Sequence, residues 1–307
     1  MAPSLLTEDL LSNTFLFHEN LNLPISHNKR SGTTPTLILF IASTKDTAGM
    51  NIAKQLIDHY NFEKLSESFH KNSVYSKTFQ NKETKLLFVN TEIVDTQFLG
   101  DLFNPNLLVF LSRHSSASGI PTLSVHTPGN LSEAKFGGKP RNVSISPAGA
   151  MKNALLEMAK LNDERGLNYE VSYECTHHGP SLNVPAMFAE LGSSPKQWKD
   201  SKAAEVVAHA AVAAISVRSS CSVALGIGGP HYNKKFTKLA LSTQRAFGHI
   251  IPKYALSEVD AEIIRQCVER TLETVDSAVL DWKGIKGAYK PKIVAALEKL
   301  GVPSEKV

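Results

Sequence analysis

Eleven histidines are distributed along the chain, and six of them, His114, His126, His177, His178, His231 and His249, fall at or just beyond the end of a short apolar run, beside Gly, Ser or Pro. Such runs read as buried strands. Near neutral pH an imidazole takes up a proton or binds a metal ion. Histidines at strand ends facing one crevice could therefore converge into a reactive centre although they are far apart in sequence. Any one of them is more simply a core side chain satisfied by a backbone carbonyl, so the weight lies in six together.

Three segments carry most of this signal. In residues 173–193 (YECTHHGPSLNVPAMFAELGS) an extended strand would put Glu174 and Thr176 on one face and Cys175 and His177 on the other, and the break at Gly179 and Pro180 would free His178 to turn into a crevice. The carboxylate of Glu174 could fix an imidazole tautomer or join a metal shell. The spacing is not HExxH, so no metallopeptidase assignment follows. In residues 225–232 (LGIGGPHY), three glycines and Pro230 precede His231, and Gly228 and Gly229 can bring their backbone close to an anion or a substrate end. A tight turn explains them equally well, and the GxGxxG spacing of a dinucleotide site is absent. The third segment is Ser112, Arg113 and His114, where the arginine is either a fork for phosphate or half of a surface ion pair.

The elements that must position these residues follow from apolar periodicity. The run LILFIAS after Thr36, followed by TKDTAGMNIAKQLIDHY, reads as strand, turn and helix, with Thr44, Asp46 or Thr47 as the helix cap. Further strands are expected near Lys85, Leu107, Thr122, Asn168, Ala186, Ser222 and Ala246. Helices are expected over AGAMKNALLEMAKLNDERG, SKAAEVVAHAAVAAISVR, SEVDAEIIRQCVERTLETVDSAV and PKIVAALEKLG. Strands interleaved with helices predict an α/β fold with a mixed or mostly parallel central sheet flanked by helices. Residues 1–35 read as a peripheral extension and 36–307 as one unit, with a lobe division near 140–150.

Bulk properties narrow the setting. With 307 residues, 42% of them hydrophobic and 20% charged, the chain is far from the composition of disordered proteins. Cys175, Cys221 and Cys267 form neither a CxxC pair nor an even set, which argues against a disulfide framework and for a reducing compartment. No apolar run is long enough to cross a bilayer and the N-terminus is unlike a secretory signal, so a cytoplasmic protein without membrane contact is expected. The net charge of +4 suits a nucleic-acid partner and equally many small-molecule enzymes. Lys139, Arg141, Lys234, Lys235, Lys283 and Lys286 flank the three segments and are the cations that would meet phosphate.

Taken in order, TKDTAGMNI, VFLSRHSSASGIPTLSVHTPGN, FGGKP, YECTHHGPSLNVPAMFAELGSSPKQW, LGIGGPHYNKKFTKLAL and FGHIIPKYAL make the chain resemble the D-aminoacyl-tRNA deacylases of archaea and plants, from about Thr36 to the C-terminus. It departs from that family at Pro230, where a third consecutive glycine is usual, and residues 1–35 lie outside the match. The resemblance implies a monomeric α/β enzyme with a peptidyl-tRNA hydrolase or phosphorylase-like architecture. It also implies hydrolysis of the ester between a D-amino acid and the tRNA 3′ end, with zinc as cofactor. On that basis His178 or His231, with Glu174 and His177, would activate water, either alone or through zinc held by His114, His178, Glu174 and His231. Backbone amides of Gly228 and Gly229 would receive the oxyanion. Ser112, Arg113 and Lys139 would contact the substrate. Two rivals remain at this point: a zinc-dependent amidase or peptidase for small substrates, and an RNA-binding module without catalysis.

Overall fold

A computed structural model describes residues 36–216 and 221–307. The expected N-terminal extension, residues 1–35, lies outside the described residues. Fourteen strands are described: β1 (Leu37–Ser43), β2 (Glu63–Phe69), β3 (Asn72–Phe79), β4 (Lys82–Val89), β5 (Leu107–Arg113), β6 (Thr122–His126), β7 (Gly129–Asn130), β8 (Asn142–Val143), β9 (Glu170–Tyr173), β10 (Ala186–Gly192), β11 (Ser222–Ile227), β12 (Arg245–Ile251), β13 (Ser277–Leu280) and β14 (Ser304–Lys306). The α-helices are α1 (Thr47–Tyr60), α2 (Leu99–Phe103), α3 (Ala148–Glu164), α4 (Pro195–Trp198), α5 (Ser201–Ala214), α6 (Lys234–Ser242), α7 (Ala261–Glu269) and α8 (Lys290–Lys299).

The larger sheet has eight strands in the order β2-β3-β4-β1-β5-β10-β6-β9. Its centre, β4-β1-β5-β10, is parallel, whereas β6 runs antiparallel to β10. Alternate residues of β1 face opposite sides, as the pleat requires. Ile38, Phe40 and Ala42 pack with Ile52 and Leu56 of α1, Leu155 of α3 and Val206 of α5. Leu39 and Ile41 pack on the other side with Phe69, Leu108, Phe110 and Phe188. Both faces are thus covered, which is why these strands are continuous apolar runs. Asp46 caps α1 by accepting from the Ala48 and Gly49 amides, one of the three caps expected. The alanine-rich α5 is buried around much of its circumference because small side chains let it lie close to its neighbours.

A second sheet, β12-β11-β13-β14, is parallel throughout and has its own core with α7 and α8. The change of sheet falls between Gly192 and Ser222, not near 140–150, where the chain instead forms β8 and bridges Ile145 to Pro185 and Ser146 to Thr271. The long helix expected through SEVDAEIIRQCVERTLETVDSAV stops at Glu269, because Ser277–Leu280 is needed as β13 beside β11. The hairpin β2–β3 and helix α6 carry too few apolar residues to stand out in the sequence. Among the described residues no helix is long and apolar enough to cross a membrane.

Candidate active site

The site lies on the sheet face opposite the α1, α3 and α5 layer. Phe188 and Glu190 project from that face of β10. Because β6 is antiparallel to β10, its last residue is level with the middle of β10, and the His126 ring stacks on Phe188 with centroids 4.7 Å apart. His114 enters from the end of β5, and Glu174, Cys175, His177 and His178 from the segment after β9. His231 arrives from the second sheet on the Gly228–Gly229–Pro230 turn after β11. Gly228 there has φ +101, and a Cβ would press on Ile285 and Asp281. A bridge between Glu174 and Tyr232 and a bond from the Cys175 amide to the His231 carbonyl fasten the two sheets together at this point.

Of the six histidines at strand ends, five converge. Ring centroids are 4.2 Å apart for His126 and His177, 4.2 Å for His177 and His178, and 4.4 Å for His177 and His231. His114 joins through the buried carboxylate of Glu174, which lies 3.1 Å from His114 Nδ1 and 2.8 Å from His231 Nε2. His249 sits apart as a core residue, with Nδ1 on the Thr176 hydroxyl at 3.0 Å and Nε2 on the Arg270 carbonyl at 3.2 Å.

The cluster divides into two flanks of opposite protonation. Burial alone would keep His114 neutral, but the neighbouring carboxylates of Glu174 and Glu190 outweigh it and push its pKa up to about 10. Burial is likewise overridden at His231, where the Cys175 sulfur and Glu174 push the pKa up to about 10. In return, hydrogen bonds from these two rings overcome the burial of Glu174 and hold it well below the usual carboxylate range. On the other flank, burial and then neighbouring imidazoles hold His177 well below its ordinary value, and His178 falls to about 4 for the same reasons. His177 Nδ1 is 2.8 Å from the Cys175 carbonyl and His178 Nδ1 is 2.8 Å from the Gly179 carbonyl. A carbonyl only accepts, so each Nδ1 carries the proton and each Nε2 keeps a free lone pair. His178 also adopts φ +40, a left-handed conformation that costs a non-glycine residue about 1 kcal/mol or more.

Several expected contacts are redirected. The Gly228 N–H donates to the Ile251 carbonyl at 2.8 Å, so it is not an oxyanion donor, and Gly228 and Gly229 serve as the turn that aims His231. Arg113 pairs with Glu92 at 3.2 Å and lies 4.0 Å from Asp46, while the Ser112 hydroxyl donates to Asp46. Both nevertheless line a cavity of about 130 Å³ together with Glu92, Val94, His178 and Glu190. Arg141, Lys234 and Lys235 are engaged by Asp260, Glu170 and Asp281, which leaves Lys139, Lys283 and Lys286 without side-chain partners among the described residues. Sequence reasoning missed Glu190, Tyr232 and Tyr254. The signal for Glu190 was a lone carboxylate inside the apolar run AMFAELG, buried here 3.6 Å from His114 Nδ1 and 3.8 Å from His126 Nε2.

The metal set expected from the sequence, His114, His178, Glu174 and His231, is not one convergent group. Its members are divided among three groups of ligand atoms: His126, His177 and His178; Cys175, His177 and His231; and His114, Glu174 and Glu190. The first fits zinc best. His126 is buried with neither ring nitrogen hydrogen-bonded, and His177 and His178 offer Nε2 while their Nδ1–H groups are oriented by carbonyls. In the third group the carboxylates are already matched by the His114 and His231 cations.

A family model described as D-aminoacyl-tRNA deacylase matches residues 102–305. The D-aminoacyl-tRNA deacylase of Thermococcus onnurineus is 40% identical over 272 residues, covering 85% of this chain and 97% of that protein. That of Methanosarcina barkeri is 37% identical over 295 residues, 93% of this chain and 94% of its own length. A crystal structure of a conserved protein of unknown function superposes with a TM-score of 0.80 at 31% identity, covering 88% of this chain and 95% of that one. The histidine cluster is therefore to be read within a known lineage: the chain belongs to the D-aminoacyl-tRNA deacylase family.

Proposed function

We propose that this chain hydrolyses the ester joining a D-amino acid to the 3′ end of tRNA, with the neutral flank of the cluster activating water and the charged flank steadying the developing oxyanion. The observation that carries this reading is the meeting of five imidazoles and two buried carboxylates in one cluster, where His114 is raised by the carboxylates in spite of burial and His178 is lowered by burial. An aminoacyl ester is already reactive, so the enzyme has chiefly to hold water, accept its proton and stabilise negative charge.

The proton goes to the free Nε2 of His178, beside the cavity that it lines with Arg113 and Glu190; His177 presents the same atom next to it. On the opposite flank, His114 as a cation donates from Nε2 to the Tyr232 hydroxyl at 2.9 Å, which leaves the hydroxyl proton free to point at an oxyanion. Glu174 keeps His114 and His231 charged for this purpose. Zinc, for which His126, His177 and His178 are the fitting ligands, would engage these same Nε2 lone pairs, and when bound it would activate the neighbouring water by Lewis acidity in place of His178 as the base. The partner is tRNA, met by a monomer in the cytoplasm.

The test is deacylation of matched D- and L-charged tRNA by the wild-type protein and by His178→Ala, with and without added zinc. Release from the D-charged substrate alone, lost in His178→Ala, supports the reading; equal release from both substrates, or full activity in His178→Ala, contradicts it. Activity that survives complete demetallation would assign the chemistry to the histidines alone.

A further inference from the structure

Phe136 is the most exposed of the large apolar side chains among the described residues, at 71%. Leaving such a ring in water forgoes the benefit of burying it, and its setting beside the site makes that notable. Its backbone is not loose. The Phe136 carbonyl accepts from the Gly179 amide at 2.9 Å, immediately after His178. Asn130 Nδ2 donates to the carbonyls of Gly137 and Lys139, and the Lys139 amide donates to Ser181. Gly137 and Gly138 take φ +67 and +77, and they lie so close to their neighbours that a Cβ would collide with the Val94 carbonyl at Gly137 or with Asn130 and Ser181 at Gly138. The loop is thus clamped onto the His178 turn and onto Val94, a wall of the cavity beside His178, while its ring is held out in solvent. Tyr254, exposed at 58% on the other side of the cluster, has its hydroxyl bonded to His231 at 3.0 Å. Phe136 has no polar atom to account for its position.

Three residues along, Lys139 is exposed and its ammonium has no partner among the described residues. An exposed aromatic ring on an anchored loop that also carries an unpaired cation supplies the two elements that bind single-stranded nucleic acid, where a base stacks and a flanking phosphate is neutralised. We propose that Phe136 is a stacking platform for one of the last two bases of the tRNA 3′ end, with Lys139 on the adjoining phosphate. The claim rests on the reading above that tRNA presents its 3′ end to the cluster, because the Phe136 loop is bonded to the residue that follows His178. Phe136 is a positioning residue: it seats the 3′ end so that the ester meets the cluster and takes no part in proton transfer.

The experiment compares wild type, Phe136→Ala, Phe136→Trp and Lys139→Ala. Steady-state deacylation of D-aminoacyl-tRNA should show KM raised about 5- to 100-fold in Phe136→Ala with kcat little changed, and near wild-type KM in Phe136→Trp. Uncharged tRNA carrying 2-aminopurine at either of its last two positions should be quenched on binding to wild type and not to Phe136→Ala. Lys139→Ala should reduce the salt slope of tRNA binding by about one. An unchanged KM with undiminished quenching in Phe136→Ala would overturn the proposal, as would loss of a self-associated species in that variant with tRNA binding intact. The fluorescence arm needs no turnover, so a wild-type protein inactive on D-aminoacyl-tRNA strikes the hydrolytic reading, and quenching still decides this one.

Discussion

The two flanks of the imidazole cluster are built from the same side chain and differ in what stands beside it. Around Glu174, His114 and His231 face a buried carboxylate and hold their protons; around Phe188, His126, His177 and His178 face an aromatic ring, carbonyls and one another. Burial disfavours the cation on both flanks, so the nearest carboxylate decides the outcome. A hydrolase needs an acceptor of protons and a stabiliser of negative charge within one pocket. Here one residue type does both because the carboxylates come close on one side, 3.1 Å from His114 and 2.8 Å from His231, and stand back on the other, 3.7 Å from His177 and 3.8 Å from His126.

The largest way to break this contrast is Glu174→Gln. It removes the partner of two charged rings, and leaving buried charge unmatched should cost about 3–5 kcal/mol in chemical denaturation and abolish deacylation. His178→Ala acts on the other flank and should separate chemistry from stability, lowering kcat by about 10²–10⁴ while the thermal midpoint stays within a few degrees. His249→Gln is a control outside both flanks. Burial lowers the pKa of His249 to about 4, against about 6.5 in the unfolded chain. The unfolded state therefore takes up the proton first, and stability is lost as pH falls from about 6.5 toward about 4. The variant should flatten that decline by about 3 kcal/mol at most, with activity at neutral pH retained. Smallest is Arg141→Ala, whose exposed pair with Asp260 should be worth about 1 kcal/mol or less and whose loss should leave the salt slope of tRNA binding unchanged. Metal analysis sharpens the same contrast: zinc content should fall in His126→Ala and persist in His114→Ala.

Much of this was legible in the sequence where local pattern and tertiary role coincide. The central strands are apolar because both faces are covered, and His114, His177, His178 and His231 are marked by the small residues at which their strands end. What was not legible depends on strand direction. That β6 opposes β10 is invisible locally, yet it brings His126 over Phe188 and makes Glu190, in the middle of a strand, part of the site. Apolar periodicity likewise does not tell the end of α7 from β13, because the strand has only four residues and its identity comes from pairing with β11. The glycines before His231 look like ligand-binding backbone in isolation, but the Gly228 amide is occupied by β12.

The most direct test of the two-flank account is the imidazole nitrogen chemical shifts of the five clustered histidines at neutral pH, assigned by single His→Gln variants. The account predicts doubly protonated rings at His114 and His231 and neutral rings protonated at Nδ1 for His177 and His178. Protonated His177 and His178, or neutral His114 and His231, would contradict it.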